Sequence, residues 1–345
     1  MATKFGDRWD VIESLKESGQ AWSYKVRDST TPSGEVFVLK RLKNPNRLER
    51  FQNEVSSLKE LTHPNITRLL DFDLADERPW FVQEYCSGGD LEDHIAASGP
   101  MEPAAALYTV SQVADALAYA HKTGRVHRDI KPANVYLRSP EGQAVLGDFG
   151  LTWIDNQGSR LTLTDEAVGS FRFMAPELRD GRAENPTWHS DIYSLGKLLY
   201  ALLSGGLVFD REDHRSDRWN LVRIRDSLSL EHVNNLLDHM ITLEPSGRFP
   251  AATVQTRAIQ TIRLVTREFA PLTGDIHSPC KYCGLGKYVP IVWSDQGFID
   301  FFGFLPDAIS DVRRNWRLMA CDRCGNIQFF TMGILPESWF PSKPH

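Results

Sequence analysis

The sequence predicts an α+β chain, two lobes followed by a small β-rich unit, and three observations predict it. Residues 9 to about 85 read as short strands around a single helix. From Leu91 to about Glu268 the apolar residues recur at helical spacing. Beyond Pro271-Leu272-Thr273-Gly274-Asp275, which reads as a linker, helical periodicity weakens and aromatic content rises. The expected boundaries are 9–268 for the bilobal domain, with lobes at about 9–85 and 87–268, and 269–345 for the C-terminal one.

A chain of 345 residues has room for two or three domains, and 41% hydrophobic with 24% charged residues is ordinary globular composition. A net charge of −6 gives no reason to expect a nucleic-acid or anionic membrane partner. The start, Met1 to Asp7, has no apolar stretch to act as a signal peptide. The most apolar segment, Leu195 to Phe209, is interrupted by Lys197 and falls short of the roughly 20 residues a bilayer requires. The expectation is a soluble, cytoplasmic protein without a membrane partner.

In chain order, Val36-Phe37-Val38-Leu39-Lys40 is β-branched and aromatic behind the turn signal Pro32-Ser33-Gly34, so it reads as one arm of a hairpin. Arg47 to Leu61 is helical: Phe51, Glu54, Leu58 and Leu61 fall on one stripe, and a charge on an apolar stripe calls for a partner. Ser87-Gly88-Gly89-Asp90 reads as a flexible joint, and Ala104–His121 and Asp191–Ser204 as long helices. Cys86 reads as a small packing residue. Histidines other than His127 show no metal-ligand spacing and are given no role.

Chemistry concentrates in Val126-His127-Arg128-Asp129-Ile130-Lys131-Pro132-Ala133-Asn134, with Asp148-Phe149-Gly150 beginning fourteen residues after Asn134. Phosphoryl transfer from a nucleotide needs a carboxylate aimed at the incoming hydroxyl and oxygen ligands holding Mg²⁺ on the phosphates. Asp129 suits the first task; Asn134 and Asp148 suit the second, with Mg²⁺ or Mn²⁺. Either tripeptide alone arises by chance. Both in this order, with Lys131 and Asn134 at their offsets, almost never do.

On these residues the chain resembles a eukaryotic-type (Hanks-type) Ser/Thr protein kinase from about residue 9 to about 268. The resemblance implies a bilobal protein kinase-like fold and transfer of the ATP γ-phosphoryl group to Ser/Thr hydroxyls of protein substrates, autophosphorylation included. It implies that Lys40 pairs with the nucleotide phosphates and with Glu54, and that Lys131 neutralises the transferred group. Phe149 would pack beneath His127 and join Leu58. Gln83 would stand at the back of the nucleotide pocket, Val38 on its roof, and Glu84 and Cys86 would offer backbone groups to adenine.

The lid departs from the family's G-x-G-x-x-G-x-V. Lys16, Ser18 and Ala21 stand where glycines belong, Ser23 stands where a valine belongs, and only Gly19 remains beside Ser18. Fewer glycines narrow the backbone's freedom to approach phosphates. A second reading is therefore a pseudokinase or nucleotide-sensing scaffold. A third subordinates the kinase fold to a binding module at the C-terminus. The segment closing on Met174-Ala175-Pro176-Glu177 would admit substrate, with Thr162 or Thr164 as phosphate acceptors for Arg128. Ser170 would touch the catalytic loop, Glu177 would pair with Arg248, and Asp191 would brace the catalytic loop.

Four of the five cysteines form two knuckles, Cys280-Lys-Tyr-Cys283-Gly284 and Cys321-Asp-Arg-Cys324-Gly325. Two such turns complete a tetrahedral thiolate site for Zn²⁺, although ligand type alone also fits iron. The resemblance is to a zinc ribbon over about 277–333, with an insertion between the knuckles because Gly284 to Ala320 exceeds the usual spacing. Seven Lys/Arg balance seven Asp/Glu from Phe269 to His345, so no basic face for nucleic acid is expected. Aromatics such as Trp293, Phe301 and Trp339 point instead to a second core or a protein partner.

Overall fold

The computed structural model describes residues 4–15, 21–31, 34–149, 171–179, 187–210 and 212–266, and three further strands between 288 and 331. The chain divides into two compact units, 1–265 and 266–345.

The first unit opens with an antiparallel sheet. Its strands are β1 (Lys4–Phe5), β2 (Trp9–Ser14), β3 (Ala21–Asp28), β4 (Val36–Leu42), β5 (Leu69–Asp73) and β6 (Trp80–Glu84), in spatial order β1-β2-β3-β4-β6-β5. β3 and β4 pair from Arg27 opposite Val36 to Ala21 opposite Leu42, as the turn signal between them requires. Alternation sorts β4. Phe37 and Leu39 point into a cluster with Trp9, Val26 and Trp80, which leaves Val38 and Lys40 together on the other face.

Helix α1 (Leu48–Glu60) buries Phe51, Glu54, Val55 and Leu58, so the stripe read from the sequence is the packed face and Glu54 lies on it. Asp90 caps helix α2 (Leu91–Ser98) by accepting from the Asp93 N–H at 2.8 Å. The segment before it is pinned, contrary to the flexible joint expected from its glycines. Ser87 N donates to Arg138 O, Gly88 N to Leu137 O at 3.0 Å, and Leu137 N to Gly89 O at 2.8 Å. A side chain at Gly88 would collide with the Ser139 carbonyl oxygen, so glycine here permits close backbone approach.

The helical lobe is built on α3 (Pro103–Lys122), with its apolar face wholly buried, and on the hairpin β7 (Val135–Leu137) with β8 (Ala144–Leu146). Next come α4 (Pro176–Arg179), α5 (Trp188–Ser204), α6 (Leu221–Ile224), α7 (Glu231–Leu237) and α8 (Ala251–Val265). Among the described residues no helix is long and apolar enough to cross a membrane. In the second unit β9 (Tyr288–Pro290), β10 (Trp316–Cys321) and β11 (Ile327–Thr331) form an antiparallel sheet in the order β11-β10-β9.

Lys197, mid-way along α5, is 1% exposed. Its Nζ donates to Phe209 O at 2.5 Å and stands 3.7 Å from the Phe209 ring centroid. Burial pulls the ammonium down to about 7, against the opposing charges of Asp210, Glu212 and Asp213 and with Arg179 adding to the fall. The folded state therefore holds fewer protons than the unfolded chain between about 7 and 10.5, and stability rises with pH across that window. Below it the full cost of a buried charge remains. Lys197→Met is expected to raise Tm by several degrees near neutral pH, with the gain shrinking as pH climbs toward the lysine's ordinary value. Thermal melts across that range check this, and a gain that grew with pH would refute burial as the cause.

Candidate active site

Three elements bring the chemistry together. β4 carries Lys40, α1 carries Glu54, and the loop after β8 carries Asp148. Lys40 Nζ lies 3.4 Å from Glu54 Oε1 and is bonded more closely to Asp148 Oδ1. Glu54 is 5% exposed, which excludes the weak surface ion pair that the same two residues could otherwise have formed. Burial opposes the charge on Lys40, yet the two carboxylates, Asp148 foremost, outweigh it and hold the ammonium above its ordinary value. Burial pushes Glu54 up, and the nearby Asp148 charge adds to this. Burial would also raise Asp148, but Lys40 dominates and holds it low. The site thus keeps one ammonium between two carboxylates, with Asp148 ionised.

The catalytic loop is set by side chains on either side of it. Asp129 Oδ2 accepts from Lys131 Nζ at 2.9 Å and from Asn134 Nδ2 at 3.0 Å. Asn134 also donates to Asp129 O at 2.7 Å, so its amide nitrogen is committed and its oxygen is the end chemically able to meet a cation. Asp148 and Asn134 together offer the hard oxygen donors that suit Mg²⁺ or Mn²⁺. Beneath the loop, fully buried Asp191 accepts from the backbone N–H of His127 at 2.9 Å and of Arg128 at 2.7 Å. Its third partner is His121 Nε2 at 2.9 Å, so a histidine to which the sequence assigned no role completes the brace.

Two residues of this site sit in the left-handed region, Arg128 (φ 72°) and Asp148 (φ 58°). Side chains there cost on the order of 1–3 kcal/mol each and persist only where neighbours impose them. At Arg128 the Asp191 bonds do this. At Asp148 the flanking bonds do it: His127 Nε2 donates to Gly147 O at 2.7 Å, and Phe149 meets the His127 ring edge-to-face at 4.7 Å between centroids. Phe149 and Leu58 belong to one buried cluster. Farther along, Arg248 grips Glu177 with two bonds of 2.6 and 2.9 Å and also donates to Thr242 O.

The hinge follows β6. Gln83 is buried, and its Oε1 has no hydrogen-bond partner among the described residues. Glu84 N donates to Arg68 O, and the Glu84 carboxylate holds Arg138 Nε at 3.0 Å. Cys86 O accepts from Gly89 N, while burial pushes the Cys86 thiol up to about 12, which fits an inert packing residue. Val38 lies opposite Gln83 in the sheet register, on the Lys40 face. Of the lid, Ala21 is buried and Ser23 pairs with Lys40. Lys16, Ser18 and Gly19 lie outside the described residues, as do Thr162, Thr164, Ser170, Cys280, Cys283 and Cys324.

Two residues at the site were not singled out by the sequence reading. Arg50 stands one helical turn before Glu54 on α1, its Nε buried without a hydrogen bond among the described residues. Its guanidinium is pulled below its ordinary value by burial and by Arg47, and feels the opposing charges of Asp129, Glu54 and Asp148. Its i, i+4 relation to Glu54 was a usable signal. The other is Tyr136, whose hydroxyl is 3.5 Å from Asp148 Oδ2.

Comparisons with known proteins agree with this geometry. A family model described as the protein kinase domain matches residues 16–258. The chain is 30% identical over 247 residues to the probable serine/threonine-protein kinase PknB of Lactococcus lactis, covering 70% of this chain and 37% of that protein. It is 37% identical over 203 residues to the serine/threonine-protein kinase PkaA of Streptomyces coelicolor, covering 54% and 37%. Against PrkC of Bacillus subtilis, also a serine/threonine-protein kinase, identity is 32% over 212 residues, covering 61% and 32%. The chain thus spans about a third of the length of these curated relatives.

Proposed function

Because the chain belongs to the protein kinase domain family, we propose that it is a Ser/Thr protein kinase that transfers the γ-phosphoryl group of ATP to protein hydroxyls, its own included. The observation that carries this is Asp129 held by Lys131 and Asn134, beside a Lys40 shared between Glu54 and Asp148. Asp129 orients the substrate hydroxyl and takes its proton. Lys131, on the same carboxylate, neutralises charge on the group in transit. Lys40 holds the phosphates of the nucleotide, and buried Glu54 keeps that flexible ammonium in reach. Asn134 Oδ1 and the Asp148 carboxylate would hold Mg²⁺ or Mn²⁺, which when bound offsets phosphate charge. Val38 roofs the adenine, the Glu84 carbonyl and Cys86 N–H face its edge, and Ser18 and Gly19 cover the phosphates. Lysine two places after Asp129 favours Ser/Thr over Tyr as acceptor.

The serine and alanine in the lid favour slow turnover, and a scaffold that binds nucleotide without transfer is the reading to which they would lead if transfer failed. Incubation of the purified chain with labelled ATP and Mg²⁺ beside Asp129→Asn separates the two. Label in the wild type alone supports the kinase; nucleotide binding with no label in either supports the scaffold.

For residues 269–345 we propose a zinc-ribbon-like domain holding one Zn²⁺ through Cys280, Cys283, Cys321 and Cys324. What supports it is position. Cys321 ends β10 opposite Tyr288, which opens β9. Cys283 precedes Tyr288 by five residues, a reach of at most about 17 Å, and Cys324 follows Cys321 in the connection to β11. Cys321, the start of β9 at Tyr288 and the start of β11 at Ile327 share one end of the sheet, and in sequence each knuckle leads into that end. Four thiolates need a reducing compartment, hence a cytoplasmic assignment, and the aromatic-rich, charge-balanced stretch suits a protein partner. Purified protein should carry about one zinc per chain. Cys321→Ser should lower that content and expose the region after about residue 270 to protease. Native protein free of metal, with a protected C-terminus, would refute the assignment.

A further inference from the structure

Tyr136 stands on β7 opposite Val145 of β8, two residues past Asn134. Its ring lies on the bare Cα of Gly147. A methyl group there would come 2.6 Å from ring carbon Cε2 and 3.1 Å from Cδ2. Gly147 has little freedom to retreat, because its N–H donates to Asn134 O at 3.0 Å and its carbonyl accepts from His127 Nε2 at 2.7 Å. The ring is thereby held against the residue that immediately precedes Asp148. From that position the phenol O–H donates to Asp148 Oδ2 at 3.5 Å, while Lys40 holds Oδ1. Each oxygen of the carboxylate therefore has its own protein donor.

A carboxylate turns easily about its terminal bond, and a donor on each oxygen defines its plane. We propose that Tyr136 is a positioning residue for the cation site: through Asp148 Oδ2 it sets the orientation of that carboxylate, and with it the affinity for the Mg²⁺ that accompanies nucleotide. This rests on the kinase reading above. The long contact places the expected effect in the range of a single weak hydrogen bond.

The test is nucleotide binding, not turnover. ADP is titrated by calorimetry into the 345-residue wild-type chain, Tyr136→Phe and Tyr136→Leu over a series of free Mg²⁺ concentrations and in EDTA. Phe retains the ring on Gly147 and loses only the O–H. The free Mg²⁺ giving half-maximal ADP binding should rise about three- to tenfold in Tyr136→Phe, with affinity in EDTA unchanged. An unaltered Mg²⁺ dependence in Tyr136→Phe overturns the proposal, even if Tyr136→Leu weakens binding, because the ring alone would then matter. A wild type that binds ADP without regard to Mg²⁺, like an Asp148→Asn control, would overturn the kinase reading and this inference with it.

Discussion

Asp148→Asn is expected to lower phosphoryl transfer by on the order of a thousandfold or more in kcat while leaving the fold intact. The change keeps the shape and removes the charge. Asp148 is ionised because Lys40 holds its carboxyl below the ordinary range despite burial, so the substitution deletes an anion from the proposed Mg²⁺ site. The fold tolerates the loss because Lys40 still has Glu54, 3.4 Å away, and is not left as an isolated buried charge. The loss of the Asp148 charge also removes one of the influences that push Glu54 up. Label incorporation from ATP, measured beside a thermal melt of the same preparation, checks both halves. Wild-type activity in the variant would sink the kinase assignment.

The second large effect is expected at Asp191, which touches no reacting atom. Asp191→Ala takes the acceptor from two consecutive backbone N–H groups, of His127 and Arg128, and from His121. An unmet buried donor costs about 1–3 kcal/mol, so the variant should lose roughly 3–5 kcal/mol of stability. For a unit of this size that is on the order of a ten-degree fall in Tm. Activity should fall further than stability explains. Arg128 occupies its strained conformation at φ 72° because Asp191 fixes its N–H, and Asp129 is the next residue along. Urea denaturation and transfer assays, run at a temperature where the variant remains folded, separate these contributions. A Tm within a degree or two of the wild type would show that the loop keeps its shape without the brace.

Much of the architecture was legible in the chain itself because it is written in local periodicity. The helical stripe through Phe51, Glu54 and Leu58 and the alternation around Lys40 each report an element's buried face from residues a few positions apart. The proposed catalytic residues stood out for a different reason: few chemical types can serve a base or a hard-cation ligand, and Asp129, Asn134 and Asp148 occupy one continuous stretch. Contacts between distant parts of the chain were decided only by the tertiary structure. Lys40 is bonded more closely to Asp148, 108 residues away, than to its expected partner Glu54. His121 was discounted until folding brought Asp191 beside it. The glycines at 88 and 89 promised freedom, yet backbone bonds to β7 hold them. Tyr136 was not singled out in the sequence; only folding set its ring on Gly147 and its hydroxyl against Asp148. A sequence shows which groups are present and which face of an element they share. Which oxygen meets which donor depends on packing between elements, where a displacement of an ångström changes the bond.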